Sequence, residues 1–421
     1  MLDFFKSIFD KKAPVKERPP YYSIVCPYCF AKCEPSDVVF RAAHVKENDD
    51  EFALQEDERL NAWRRKFRLA LPDMEAIVDP ELIPEENRIY AGQVLVAVTD
   101  RYGVTTRRRL CPSCHNELPI TAGQVPSNII SIVGASQVGK SVYMTSLIHT
   151  LQTETAAHFQ AACMPLSADI SRKFRHNYHE PIFERGSMLA STNPNEQQEP
   201  FIFQFVFKDE SKPPLLLVFF DVAGEGMVER DYLDIYAAHI QNSSGILFLV
   251  DPLQVRTIRD KIRLNLGGEE GEFAGRYDEP REVVISLYEN FISHQQSGKT
   301  DIPTAIVLTK SDMLQYLQEE DSDYIRPNSN VFRDVRHRGY LDRTEFENIN
   351  GEIRRFLEKV DRPFKDAVDV YFRNTAYFAV SALGSNPVNR RVHGVISPIR
   401  VDEPFIWLLN QLDYIDRRDA P

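Results

Sequence analysis

Gly134-Ala-Ser-Gln-Val-Gly-Lys140-Ser141 has the spacing of a phosphate-binding loop. It lies between a β-branched run, Asn128-Ile-Ile-Ser-Ile-Val133, and a helical stretch from Val142 to Leu151. Strand, glycine-rich loop and helix in that order commit the chain to an α/β unit that binds a nucleoside triphosphate. Glycines let the backbone curl so that its N–H groups face phosphate oxygens, and the following helix N-terminus adds positive potential. Gly134, Ser136, Gln137, Val138 and Gly139 form the predicted cradle, Lys140 is predicted on the β and γ phosphates, and Ser141 is predicted to ligate Mg²⁺.

Further apolar runs follow. Phe201 to Phe207 and Pro214 to Phe220 stand close enough to pair antiparallel, and the second runs into Asp221-Val-Ala-Gly224. Such a carboxylate orients Mg²⁺, and such a glycine amide can meet the γ-phosphate. Gly245-Ile-Leu-Phe-Leu-Val250 is another strand. Thr304 to Leu308 leads into Thr309-Lys310-Ser311-Asp312, and Tyr377 to Val380 leads into Ser381-Ala382.

In that order these motifs resemble the small-GTPase superfamily, whose guanine signature is [NT]KxD followed by SA. The resemblance implies an α/β, Ras-like P-loop GTPase with a mixed six-stranded sheet, the strands near 129–133, 201–207, 214–220, 245–250, 304–309 and 377–381. It also implies that Asp312 accepts hydrogen bonds from guanine N1 and N2, that the Lys310 stem covers the base, and that the Ala382 amide approaches O6, with Thr309 and Ser381 completing the motifs. Adenine lacks the exocyclic donor that Asp312 reads, so the site is expected to prefer GTP. Glu225 stands where many relatives place the glutamine that orients attacking water, so it is the candidate for catalysis beside Lys140, with a solvated surface acid as the alternative. Thr192, in Ser191-Thr192-Asn193-Pro194, is the candidate switch threonine and Mg²⁺ ligand, or else a turn residue. Arg230 is a candidate arginine finger by position alone.

The cysteines carry a second signal. Cys26-Pro-Tyr-Cys29 and Cys111-Pro-Ser-Cys114 are two knuckles of the kind that supply four thiolates to tetrahedral Zn²⁺. They predict a small zinc ribbon split by an insertion. Redox pairs and, for Cys111-Pro-Ser-Cys114-His115, a haem attachment site are the alternatives; the latter needs export, which the N-terminus does not suggest. Cys33 and His115 are spare ligands or surface residues, and Cys163 reads as a small core residue.

The expected organisation is an N-terminal segment over 1–22, the split ribbon over 23–122 and the GTPase unit over 126–416. Within the insertion, Asp57 to Leu71 reads as helix and 93–98 with 104–110 as a hairpin; the last helix is predicted near Asp402. Leu2, Phe4, Phe5, Ile8 and Phe9 have helical spacing among lysines, which suits reversible membrane or partner docking as well as packing or fraying. Leu264 to Tyr277 and Glu319 to Arg338 read as loops. In 421 residues no apolar run approaches a membrane span, and six cysteines suit a reducing cytoplasm. A net charge of −12 argues against nucleic acid as the partner, although basic residues such as Arg107, Arg108 and Arg109 flank the ribbon.

The layout as a whole is similar to the bacterial double-GTPase 2 group. That resemblance implies a GTP-binding switch with slow Mg²⁺-dependent hydrolysis, working with a protein partner, possibly a second GTPase, in a signalling or conflict system. The alternative is a non-hydrolysing GTP-binding scaffold whose ribbon recruits a protein.

Overall fold

The computed structural model describes residues 20–135, 137–189, 200–219, 239–265, 280–289, 298–317, 325–335, 337–388, 390–392 and 394–419. The N-terminal docking segment therefore falls outside the described residues, as do Thr192, Asp221, Gly224, Glu225 and Arg230.

The N-terminal third is built from short strands. Two of them, β1 (Ile24–Val25) and β2 (Lys32–Cys33), form a hairpin around the first cysteine knuckle. The strand β3 (Val39–Arg41) pairs antiparallel with β4 (Ile77–Val78) on one side and with β8 (Arg109–Leu110) on the other. A separate meander contains β5 (Arg88–Ala91), β6 (Val94–Thr99) and β7 (Thr105–Thr106). The expected hairpin is thus the β6–β7 pair, with β5 added. The insertion helix spans Glu58–Lys66, shorter than predicted, because Arg68 (φ 50) turns the chain out of the helix. Asp57 caps it, accepting from the Leu60 amide at 3.0 Å.

The remainder surrounds a seven-stranded mixed sheet in the order β10-β11-β12-β9-β13-β14-β16. These strands are β9 (Asn128–Gly134), β10 (Ala161–Pro165), β11 (Phe201–Phe207), β12 (Leu215–Phe219), β13 (Gly245–Val250), β14 (Thr304–Leu308) and β16 (Thr375–Ala379). β11 pairs antiparallel with β12, as its spacing predicts, and the rest of the sheet from β12 to β16 is parallel. The strand beyond the expected six is β10. Its sequence, Ala-Ala-Cys-Met-Pro, is poor in β-branched residues, so its strand character comes from pairing with β11 rather than from propensity. Cys163 is buried there, and burial pushes its thiol up to about 12.

Continuous apolar strands match a sheet covered on both faces. The covering helices include Lys140–Thr150, Arg256–Asn265, Arg343–Val360, Arg362–Tyr371 and Glu403–Gln411. The last has Pro404 in its first turn, as read from the sequence, and buries Phe405, Trp407, Leu408 and Leu409. A short parallel pair, β15 (Leu341–Asp342) with β17 (Arg417–Arg418), fixes the C-terminus. Part of the expected loop 319–338 is anchored rather than loose. Buried Arg400 donates to the carbonyls of Asn330 and Arg333, and Val331 is fully buried.

Candidate functional site: a nucleotide cavity and a cysteine cluster

β9 is the central strand, and its carboxyl end delivers the glycine-rich loop to the edge where ligands of open α/β sheets sit. Gly134 is required by packing: a Cβ there would lie 2.9 Å from the Leu249 carbonyl oxygen of β13 and 2.9 Å from the Val138 side chain. Gly139 is required by conformation, with φ at 86°, and it hands the chain to the helix that begins at Lys140. Gln137 also takes a positive φ, 62°. Lys140 Nζ donates to the carbonyls of Gly134 and Ala135, both at 2.9 Å, so the ammonium lies across the mouth of its own loop. Ser141 follows in the first helical turn. Ser136 lies outside the described residues.

The base motif is joined to this loop directly. Thr309 Oγ1 donates to the Val138 carbonyl at 2.9 Å, which ties the two motifs together. Lys310 occupies the left-handed region (φ 50) and its Nζ meets Asp251 Oδ2 at 2.5 Å. Asp251 is completely buried at the end of β13, and its other oxygen accepts from the Leu253 amide. Asp312 is held by Ser381, whose hydroxyl donates to Oδ1 at 2.6 Å and accepts from the Gly384 amide. Burial raises the Asp312 carboxyl above its ordinary value, against the opposing pull of Ser381 and Lys310. Ala382 is tied to the loop's helix through its carbonyl, which accepts from Ser146 Oγ at 2.7 Å.

These pieces converge on a single cavity of about 340 Å³. It is lined by Gln137, Val138 and Gly139 from the loop and by Thr309, Lys310, Asp312, Ser381 and Ala382 from the two base motifs. Three groups that the sequence reading passed over also line it or support it. Asp251 could have been found, as a carboxylate at the carboxyl end of an apolar strand. Met188 and Leu189, and Arg390 from beyond the Ser-Ala motif, carry no local signal.

The cysteines form the second constellation. The sulfurs of Cys26, Cys29, Cys111 and Cys114 all lie within 4.8 Å of one another. The Cys26–Cys114 and Cys29–Cys111 separations are both 3.7 Å. That is too long for disulfides and close to the edge of about 3.8 Å expected for a tetrahedron of sulfurs each about 2.3 Å from zinc. The two knuckles are built alike. The Phe30 and His115 amides donate to the Cys26 and Cys111 carbonyls, both at 2.9 Å, and the Cys26 and Cys111 amides return to Ala31 and Asn116. Phe30 and His115 both have positive φ, 58° and 50°. Two further donors face sulfur: the Ser113 amide toward Cys111 and the Asn116 side chain toward Cys114. The donor set thus fits Zn²⁺.

Cys33 lies outside the four-sulfur group, and His115 instead meets Asp57 at 2.8 Å. Asp57 also receives buried Arg41 of β3 at 2.6 Å, so the cap of the insertion helix is tied both to β3 and, through His115, to the second knuckle. The basic run beside the ribbon is largely consumed within the fold. Arg109 is buried on the carbonyls of Pro119, Ile120 and Ala122, and Arg108 pairs with Glu75 and Glu117. Among the described residues no helix is long and apolar enough to cross a membrane.

A family model described as Double-GTPase 2 matches residues 128–350. A curated relative, the proposed ESX-1 scaffolding and assembly protein SaeC of Mycolicibacterium smegmatis, is 26% identical over 319 residues, covering 71% of this chain and 78% of the relative. Solved structures among the matches include the Arl6 (BBS3) small GTPase of Trypanosoma brucei with a bound nucleotide analogue. It has 12% identity and a TM-score of 0.29, with 68% of this chain and 98% of that one covered. The Ski7 GTPase-like domain of S. cerevisiae, bound to GTP, has 13% identity and a TM-score of 0.30, covering 69% and 51%.

Proposed function

The chain belongs to the Double-GTPase 2 family, and on that premise we propose that it is a guanine-nucleotide switch with slow, Mg²⁺-dependent hydrolysis of GTP. The observation that carries this reading is the convergence of the phosphate loop and both base motifs on one cavity. Asp312, oriented by Ser381, reads guanine N1 and N2; Lys310, steadied by Asp251, covers the base; the amide of Ala382 approaches O6. Gly134, Ser136, Gln137, Val138 and Gly139 cradle the phosphates, and Lys140 leaves the carbonyls of its own loop to meet the β and γ phosphates. Ser141, with Thr192 and Asp221, is assigned to Mg²⁺, which neutralises charge on the phosphates when bound. Gly224 is assigned to the γ-phosphate and Glu225 to the attacking water. Cys26, Cys29, Cys111 and Cys114 are assigned to a structural Zn²⁺.

Two observations favour a second reading, a nucleotide-binding scaffold without turnover. The curated relative is named for scaffolding and assembly, and Glu225 replaces the usual water-orienting glutamine. Both readings give the chain a protein partner, and a bacterial cytoplasmic setting suits both.

Single-turnover assays with GTP and ATP on zinc-replete protein test them. Slow turnover of GTP but not ATP, lost in Lys140→Ala, is the expected result; rates near 10⁻⁴ to 10⁻² per second are of the order found for this chemistry without a supplied arginine. Tight GTP binding without product favours the scaffold. Equal binding of GTP by Lys140→Ala overturns the phosphate-loop assignment.

A further inference from the structure

Part of the cavity wall comes from chain that belongs to none of the nucleotide motifs. After the wide helical turn Arg175–Glu184, the backbone runs alongside the segment that follows Ser381-Ala382. The Val392 amide donates to the Gly186 carbonyl at 2.8 Å and the Met188 amide to the Arg390 carbonyl at 2.9 Å. Ser187 and Arg391 bridge between these bonds. Arg390 Nη2 then reaches across to the Leu189 carbonyl at 2.8 Å. Arg390 stands at φ 59, a conformation that costs a non-glycine residue energy and persists where neighbours over-determine it. Beneath the pairing, Ile182, Leu383 and Val392 form a small apolar cluster separate from the main core, with Met188 and Leu189 packed against it. Met188, Leu189 and Arg390 all line the cavity that contains Asp312 and Lys310.

We propose that this pairing is a clamp over the purine base. Met188 and Leu189 supply an apolar wall for the flat, weakly solvated faces of the ring, and Arg390 is the positioning residue that ties the wall shut. The clamp shares the cavity with the base-reading side chains, so it sets how long a guanine nucleotide stays bound, whatever its number of phosphates. The proposal rests on the reading of this cavity as a guanine site.

Filter-binding release of radiolabelled GDP and of radiolabelled GTPγS tests it on the full, zinc-replete chain, with Arg390→Ala, Arg390→Lys and Met188→Ala. Arg390→Ala and Met188→Ala are expected to accelerate release by about tenfold, the scale of one lost charge-assisted hydrogen bond or one lost apolar wall. The acceleration should be equal for the two nucleotides, and Arg390→Lys should recover part of it. Thermal melting of each variant reports folding. Unchanged release from folded Arg390→Ala and Met188→Ala overturns the clamp, and so does acceleration confined to GTPγS, which would place these residues at the γ-phosphate. Failure of the wild-type chain to retain either nucleotide overturns the guanine reading itself, a result distinct from loss of the clamp alone.

Discussion

Asp251, fully buried, and Asp312, half-buried, are two carboxylates in one site with opposite electrostatic solutions. Asp251 is neutralised by the Lys310 ammonium at 2.5 Å, while Asp312 keeps a hydroxyl donor and is pushed upward by burial. A carboxylate so desolvated gains most from two N–H donors, which is what guanine offers and adenine does not. Asp312→Asn reverses the pattern, because an amide can donate to the 2-oxo group of xanthine; preference between GTP and XTP in competition binding should shift by at least about tenfold. GTP affinity of the wild type should also decline as pH falls through the raised Asp312 pKa, since protonation removes the acceptor; the Asn variant should show a flatter profile in the same titration. Asp251→Ala leaves Lys310 without its anchor, and GTP affinity should weaken by about tenfold with folding retained. Asp312 was legible because its motif is a fixed pattern of neighbours. The role of Asp251 depends on a lysine 59 positions away, which no local pattern shows.

At the scale of elements, strands that are apolar along their whole length announced themselves, and those that are not did not. β11 and β13 have the bounds read from sequence. β16 begins two residues earlier than expected, at Thr375, because it follows the register set by Thr304 of β14 rather than its own apolar run. The two knuckles were legible from spacing, whereas the convergence of their four sulfurs appears only when the 82 residues of separation between Cys29 and Cys111 are folded away. Metal analysis should give about one zinc per chain, reduced in Cys26→Ser or Cys111→Ser, since removal of one ligand leaves three thiolates around the ion. Zinc-free protein with an unchanged melting curve would contradict the ribbon.

The last helix supplies a pH test. Burial raises its capping residue Asp402 to about 6, partly opposed by the Thr155 hydroxyl at 2.7 Å. The folded state therefore binds this proton more tightly than the unfolded chain. The resulting stabilisation is complete below about pH 4 and is lost as pH rises through 6. Asp402→Asn keeps an acceptor oxygen for Thr155 without the charge. Its melting temperature should match that of the wild type near pH 4 and exceed it by a few degrees at pH 7.5; a difference independent of pH would refute the assignment.

On the scale of the molecule, the ribbon and the GTPase unit look separable in sequence, at a linker containing Gly123 and Pro126, but they do not pack as separate bodies. Residues of both contribute to one continuous apolar core. Phe30, next to Cys29 of the four-sulfur cluster, is fully buried with its ring 4.3 Å from that of His239, and its carbonyl accepts from Asn242 at 3.0 Å. Burial lowers His239 to about 3, so the ring packs against Phe30 in its neutral form. Next along the chain, Ser243 Oγ bonds both the His239 carbonyl and Ser131 of β9, and the Ser244 amide bonds Ile129, so the knuckle rests on the base of the strand that carries the phosphate loop. Folding of either part alone would expose this seam. The zinc-loaded chain should therefore unfold in one transition by calorimetry, and chelation should move that transition to lower temperature rather than delete a minor one. Phe30→Ala should do likewise, by about 3 kcal/mol or more, because it opens a cavity in a surface common to both parts. Two transitions, with the nucleotide-stabilised one indifferent to chelator and to Phe30, would show that the proposed units over 23–122 and 126–416 fold independently.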